Sequence, residues 1–289
     1  MTVPYDEEFE LYHYGESICS QMARLALCEK DVAYKSHHLH LELNGEHLSK
    51  EFRSINPTAL VPVLVHNGNP IYDSWRIIKY LDECFPNQGE SLWPKDVEKV
   101  KLVERLMVDS ALDENEPIGE NFGSSIAGAS SYILANILRR RSIPSIIKDY
   151  FFKHPLKNRG VAFLIMRLTG SLPKPFYKKF VKRLARGLTS IENQLNHGGD
   201  YIIGEYSAVD IMLTAHFHRL EDIAFGSLLE SDEFPNIREY WKKIKARPSY
   251  QKAMLDHHSW EWRDAIKAVY GDEDNPFMGF LKKELKTVS

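Results

Sequence analysis

The chain has 289 residues, 43% of them hydrophobic and 27% charged, and 37 Lys+Arg against 40 Asp+Glu leave a formal net charge of −3. That balance excludes a histone-like protein that coats a polyanion, and the length is enough for about two domains of roughly 100–200 residues. Cys19, Cys28 and Cys84 form no disulfide framework and the start MTVPYDEEFE has no signal-peptide core, so a reducing, cytoplasmic setting is expected.

In chain order, residues 9–14 (FELYHY) predict a short buried strand. A helix follows over about 18–30, with Met22, Leu25, Ala26 and Cys28 at helical spacing. VAYKSHHLHL (32–41) alternates weakly and predicts a second strand. GEHLSKEFRSI predicts a short helix that stops at Asn56-Pro57. VPVLVHNGNPIY reads as strand, Asn67-Gly68 turn, strand. Asp73 or Ser74 caps the next helix, which ends before Pro86. This β-α-β-α-β-β-α order makes residues 1–86 an α/β unit with a small mixed sheet.

PNQGESLWPKD reads as a linker over 87–96, and residues 97–289 read as an all-α domain. A long helix is expected from Asp96 to about Asn115, weaker helices over 130–154, and a helix from about Pro175 to Asn196. The last places Phe176, Phe180, Leu184, Leu188, Ile191 and Leu195 on one stripe. Ser207 and Asp210 have capping-box spacing at the start of a further helix, and Pro235 to Ala246 forms another. The longest strongly apolar run, Val161 to Met166, is far short of the ~20 residues that span a bilayer.

The chemistry gathers in the first unit. Ser17-Ile18-Cys19-Ser20 lies at a strand-to-helix junction, where free N–H groups and the helix dipole stabilise a thiolate. The Ser17 hydroxyl can donate to such a sulfur, and Cys19 is expected to have a depressed pKa. Taken alone, Ser17 reads as a helix cap and Cys19 as a small buried hydrophobe. Leu60-Val61-Pro62 precedes a strand; a cis Pro62 would present the Val61 backbone to a peptide-like ligand. Asp73-Ser74 offers a carboxylate, a hydroxyl and N–H groups to an amino-acid-like end. His37, His38 and His40 alternate along a strand with no acid or Cys spaced to complete a metal site. His216 and His218 lie on different faces of a helix, so no metal is assigned.

LYHYGESICSQMARLAL, NPTALVPVL, DSWRIIKYLDECFP and GEYSAVDIML, in that order, resemble the cytosolic glutathione S-transferase superfamily. The resemblance covers roughly 1–125 and 185–255. It implies a thioredoxin-like domain followed by an all-helical C-terminal domain, with glutathione as co-substrate and a homodimer. It also implies that Ser17 activates glutathione, that Val61 before a cis Pro62 binds its cysteinyl backbone, and that Asp73 and Ser74 hold its γ-glutamyl end. Ser207 and Asp210 match the family's helix-capping motif.

SICS is closest to the glutathione-dependent tetrachlorohydroquinone reductive dehalogenases, in which the Cys resolves a glutathionylated aromatic. The zeta class, the maleylacetoacetate isomerases, carries Ser-Ser-Cys-Ser and a Gln where this chain has Leu60. The β-aryl etherases form another similar branch. The resemblance also leaves room for a non-catalytic transferase-like binding module, or for a thiol–disulfide oxidoreductase centred on Cys19.

The near-neutral total hides an asymmetry. Residues 139–186 hold 14 Lys/Arg and one acid, Asp149. They fall in an enlarged segment of about 125–186 that no motif explains. Nucleic acid finds no groove in the family's plan, and none is assigned as a partner. The block is expected to pair with the acidic remainder or to steer an anionic substrate; contact with an anionic membrane is its second reading. The electrophile is expected between the first domain and the long helix, near Asp109, Asp113, Glu114, Asn115, Glu116, Glu120 and Asn121.

Overall fold

The computed structural model describes residues 2–112 and 117–288. Its α/β domain holds β1 (Phe9–His13), α1 (Ile18–Glu29), β2 (Lys35–His38), α2 (Lys50–Ile55), β3 (Val63–His66), β4 (Asn69–Tyr72) and α3 (Ser74–Cys84). The sheet order is β2-β1-β3-β4, with β1 parallel to β2 and antiparallel to β3. This is the expected thioredoxin-like mixed sheet. Leu11 stands opposite Leu64, and both are fully buried against the Met22–Leu25–Ala26 face of α1 and Ile77, Ile78 and Leu81 of α3.

The rest is helical: α4 (Val97–Ser110), α5 (Phe122–Ala129), α6 (Ser131–Leu138), α7 (Ile143–Ile147), a π-helical turn (Lys148–Lys153), α8 (Asn158–Thr169) and α9 (Lys174–Gly198). Then come α10 (Ala208–Asp222), α11 (Gly226–Leu229), α12 (Pro235–Lys245), α13 (Pro248–Ala253), α14 (Trp260–Val269) and α15 (Met278–Val288). The capping box at α10 forms as expected: Asp210 accepts from Ser207 N (2.9 Å), Ser207 Oγ (2.8 Å) and Ile202 N (3.2 Å). No described helix is long and apolar enough to cross a membrane.

One hydrophobic core runs through both domains. Buried polar groups on α1 add directed bonds. Arg24, fully buried, donates to Ala253 O (2.7 Å) and Gly15 O (2.8 Å). Arg247 grips Glu29 with two bonds of 2.9 and 2.7 Å, the bidentate geometry that makes Arg–carboxylate pairs strong.

Three expectations need correction. The helix from Asp96 ends at Ser110, and Asp113, Glu114, Asn115 and Glu116 lie outside the described residues. Phe176 is 57% exposed; Tyr177 takes the core position, its hydroxyl donating to Ala129 O at 3.0 Å. The three histidines do not share one strand: His37 and His38 lie on β2 and His40 follows it, and all are half-buried, each with its own partner. His37 meets Glu10 (2.7 Å), His38 Nε2 accepts from Gly15 N (3.1 Å) and His40 meets Glu261 (3.1 Å).

Candidate active site

Sheet register gathers the expected residues. Tyr12 stands opposite Val63, and Val63 opposite Tyr72. The carboxyl ends of β1 and β4 and the amino end of β3 therefore share one edge. Ser17 follows β1, Leu60-Val61-Pro62 precede β3, and Asp73-Ser74 follow β4. Strand β2 runs parallel to β1 and delivers His40 and Glu42 to the same edge.

The Val61–Pro62 peptide bond is cis. Among the described residues, no other backbone group takes the Val61 N–H or C=O, which leaves both open to an extended ligand. Asn56 Nδ2 donates to Leu60 O (2.9 Å) and fixes the approach to that bend.

Ser17 is the N-cap of α1, and its Oγ accepts from Ser20 N at 3.3 Å. A hydroxyl used this way keeps its own proton for a second partner. Ser17 is half-buried, so that proton can meet a ligand.

Cys19 is the second residue of α1, and its thiol lies against the Ser74 hydroxyl and near Asp73. The expected depression of its pKa is overturned. Burial pushes the thiol up to about 11; the Ser74 hydrogen bond and the Arg159 charge pull down without compensating. A helix terminus lowers a thiol pKa only while the thiolate stays solvated or fully bonded.

Asp73 stands at the N-cap position of α3 without the expected side-chain cap. Its φ of +65° puts a non-glycine residue in the left-handed region, a strain of about 1–3 kcal/mol that persists where the surroundings impose it. Its carboxylate makes no capping bond to α3, is largely exposed, and lies 3.4 Å from Arg76 Nε. Ser74 begins α3 and is buried.

Of the residues suggested at the end of α4, the described ones, Asp109, Glu120 and Asn121, turn out to be engaged. Asp109 pairs with Arg183, Glu120 with Lys179 (2.5 Å), and Asn121 caps α5 through Ser124 N (2.8 Å). Arg140–Asp264 (3.7 Å) and Lys182–Glu284 (3.8 Å) add to these. The basic block thus pairs in part with the acidic remainder, as expected.

Sequence reasoning missed how the block meets the site. Arg141, buried, pairs with Asp149 and donates to Glu42 O (3.1 Å). His47 packs edge-on to His154, with ring centroids 5.7 Å apart. Arg159, exposed near the start of α8, acts electrostatically on Cys19, Glu42, His47 and His154. Glu42 Oε2 is buried without a hydrogen-bond partner among the described residues, and burial raises its pKa. The only signal in the sequence was the local excess of positive charge.

A thioredoxin-like edge with a cis proline, joined to a helical domain by a shared core, defines a glutathione-handling class of protein. Comparison with known proteins agrees. The family models described as the glutathione S-transferase N-terminal and C-terminal domains match residues 16–84 and 173–252. Similar proteins include a zeta-class glutathione S-transferase of Euphorbia esula, 38% identical over 88% of this chain and 92% of that one. Glutathione S-transferase TCHQD of Arabidopsis thaliana is 29% identical over 85% of this chain and 89% of that one. Among solved structures, the β-etherase LigF of Sphingobium sp. strain SYK-6 superposes with a TM-score of 0.75 at 21% identity, over 86% of this chain and 100% of that one. The chain belongs to the glutathione S-transferase family, enzymes that use glutathione as co-substrate. Neither family model covers residues 85–172, which contain most of the basic block.

Proposed function

We propose that this chain uses the glutathione thiolate to attack an electrophilic aromatic carbon and expel halide or aryloxide. Glutathione lies along Val61-Pro62 with its γ-glutamyl end at Asp73-Ser74. Its thiolate sulfur accepts a hydrogen bond from the Ser17 hydroxyl at the N-terminus of α1. The C–S bond forms as the carbon–leaving-group bond breaks, and the leaving group departs with the electron pair. The protein positions the two reactants and stabilises the thiolate, without a strong base.

The observation that carries this reading is the pairing of a half-exposed Ser17 hydroxyl with a Cys19 thiol held near 11. Burial pushes that thiol's pKa up, which disfavours the thiolate a primary nucleophile needs. A reductive route would need a second thiol to attack the sulfur of the aryl thioether; the aryl carbon leaves with the C–S electron pair and takes up a proton, and a second glutathione reduces the resulting mixed disulfide, leaving as oxidised glutathione. Cys19 is the candidate for that thiol, and its raised pKa weighs against that route. The likeness to a zeta-class enzyme and to a probable maleylacetoacetate isomerase of Vibrio cholerae supports a second reading, isomerisation of a maleylacetoacetate-type substrate.

The test measures glutathione binding calorimetrically and screens turnover on chloronitrobenzenes, halogenated hydroquinones, β-aryl ethers and maleylacetoacetate. Release of leaving group in a 1:1 ratio with glutathione adduct supports direct displacement. Oxidised glutathione as the product supports reduction, and isomerised product alone supports the second reading. Binding without turnover on any substrate makes the chain a binding module. A homodimer is part of the proposal, and sedimentation equilibrium tests it.

A further inference from the structure

A polar cluster with no part in the chemistry above lies behind the loop that carries Ser17. One ligand atom each from His218, Asp222 and His258 falls within 4.8 Å of the others. Glu16 joins from the α/β domain: its Oε2 is 4.0 Å from His258 Nε2, and Asp222 Oδ1 is 3.7 Å from the same nitrogen. Glu16 is 2% exposed and His218 4%. Glu16 Oε2, His218 Nε2 and His258 Nε2 are buried atoms without a hydrogen-bond partner among the described residues. A buried polar atom left unpaired is costly, and here three of them come from separate segments.

The other atom of each of three side chains is tied down. Ser259 N donates to Glu16 Oε1 (2.6 Å), Trp262 Nε1 to Asp222 Oδ2 (3.0 Å), and His218 Nδ1 meets Tyr250 Oη (2.9 Å). Arg219 Nε bonds the same Asp222 Oδ2 (3.2 Å) and leaves Oδ1 unclaimed. Its guanidinium also donates to Glu16 O and lies 4.3 Å above the Trp262 ring centroid, which holds its charge beside the cluster. Outer partners that fix one atom of each side chain and leave the other convergent are the second shell of a metal site.

We propose that His218 Nε2, His258 Nε2, Asp222 Oδ1 and Glu16 Oε2 bind one divalent first-row transition metal, with Zn²⁺ the natural occupant. Two imidazoles and two carboxylates are a borderline N/O set suited to such an ion. Zinc bonds of ~2.0–2.1 Å give tetrahedral ligand edges of about 3.4 Å, so the 3.7 and 4.0 Å edges at His258 close slightly, and the edges of up to 4.8 Å among His218, Asp222 and His258 close by side-chain rotation when the ion binds. The ion tethers the β1–α1 loop to α10 and to the turn before α14. Glu16 adjoins Ser17, so the metal would steady the position of that hydroxyl without touching a reactant.

The test uses the tag-free full chain, treated with chelator and freed of glutathione, titrated with Co²⁺ and then Zn²⁺. Expected are one equivalent bound at micromolar metal, the visible d–d bands of tetrahedral Co²⁺, and a rise in thermal midpoint with Zn²⁺. His258→Gln, at a half-buried position, should weaken binding at least tenfold with an unchanged far-UV spectrum. Asp222→Asn should do the same; if it fails to fold, His258→Gln alone decides. His197→Gln, on the exposed end of α9, should bind as the parent does. Absence of stoichiometric binding, an unchanged affinity in His258→Gln, or an intense sulfur-to-cobalt band that places the ion on a cysteine would each overturn the site.

Discussion

The α/β domain and the basic segment of residues 139–186 both act on the Cys19 thiol, and they get there differently. The first places Ser17 and Ser74 by strand register and helix capping, over short stretches of chain. The second brings Arg159 to the same edge through contacts made far along the sequence, with Arg141 docked on Glu42 O and His154 on His47. On the proposed function, local order builds the part that would handle glutathione, and long-range packing builds the part that would set the charge around the second substrate. If that division is right, damage to the first should abolish chemistry, and damage to the second should change only stability and selectivity.

The largest expected effect is Ser17→Ala. Turnover should fall by about 10²–10³-fold, the usual cost of a lost donor to a developing or resting anion. Calorimetric affinity for glutathione should change only a few-fold, because the bent Val61 backbone and the α3 terminus remain. Retention of full turnover would remove Ser17 from the mechanism and leave the α/β edge as a binding surface. Next comes the seam. Asp149→Ala strands the buried Arg141 charge and should cost about 3 kcal/mol, the lower end for breaking a buried pair. Hydrogen exchange should localise that loss to residues 131–169, with turnover of a neutral electrophile preserved. Loss confined to α1–α3 would contradict the division.

The two regions also differ in how far their sequences could be read. Hydrophobic periodicity and turn signals located β1, α1, β3, β4 and α3, because those elements bury one face against near neighbours in the chain. The capping box of Ser207 and Asp210 was legible because its bonds span three residues. The pKa of Cys19 was not: its helix position argues for a thiolate, and only the fold shows that burial outweighs it. Helix α8 escaped notice because Asn158–Thr169 has no capping hydrogen bond at Lys157 and buries little beyond Gly160 and Met166. Phe176 misled because Tyr177, one position on, makes the buried bond to α5. The Glu16–His218–Asp222–His258 cluster joins segments some 200 residues apart, and no spacing rule reaches that far.

Acid should open the seam as well as loosen the cores. Burial lowers the pKa of His47 to about 3 and of His154 to about 4, from 6.5. His13 and His216, at about 2 and about 4, behave likewise inside the two domains. Each ring stays neutral in the folded chain and takes up a proton in the unfolded chain below pH 6.5. The unfolded state therefore binds more protons there, and stability present above pH 6.5 is lost as pH falls toward 4. At pH 5.5 the loss is roughly 1.4 kcal/mol per ring. His47→Gln with His154→Gln should flatten the acid limb of a chemical-denaturation series between pH 6.5 and 5 relative to the parent. An unchanged slope would mean that the seam opens at no cost to the rest.

The smallest expected effect discriminates best between the regions. Arg159 is exposed, so its influence passes partly through solvent and is worth about 1 kcal/mol or less. Arg159→Ala should raise KM for a carboxylated chloronitrobenzene about 3–5-fold and leave a neutral chloronitrobenzene within twofold, with kcat for both preserved. Salt should shrink the first difference, because charges at a solvent-facing edge are screened within a Debye length of ~8 Å at physiological ionic strength. Glutathione is itself an anion, so its own KM must be followed in the same variant. A parallel rise there, with no discrimination between the two electrophiles, would assign Arg159 to glutathione. Equal kinetics for all three would mean that the block contributes packing alone, and that its positive charge is spent on its ion pairs with Asp109, Glu120, Asp264 and Glu284.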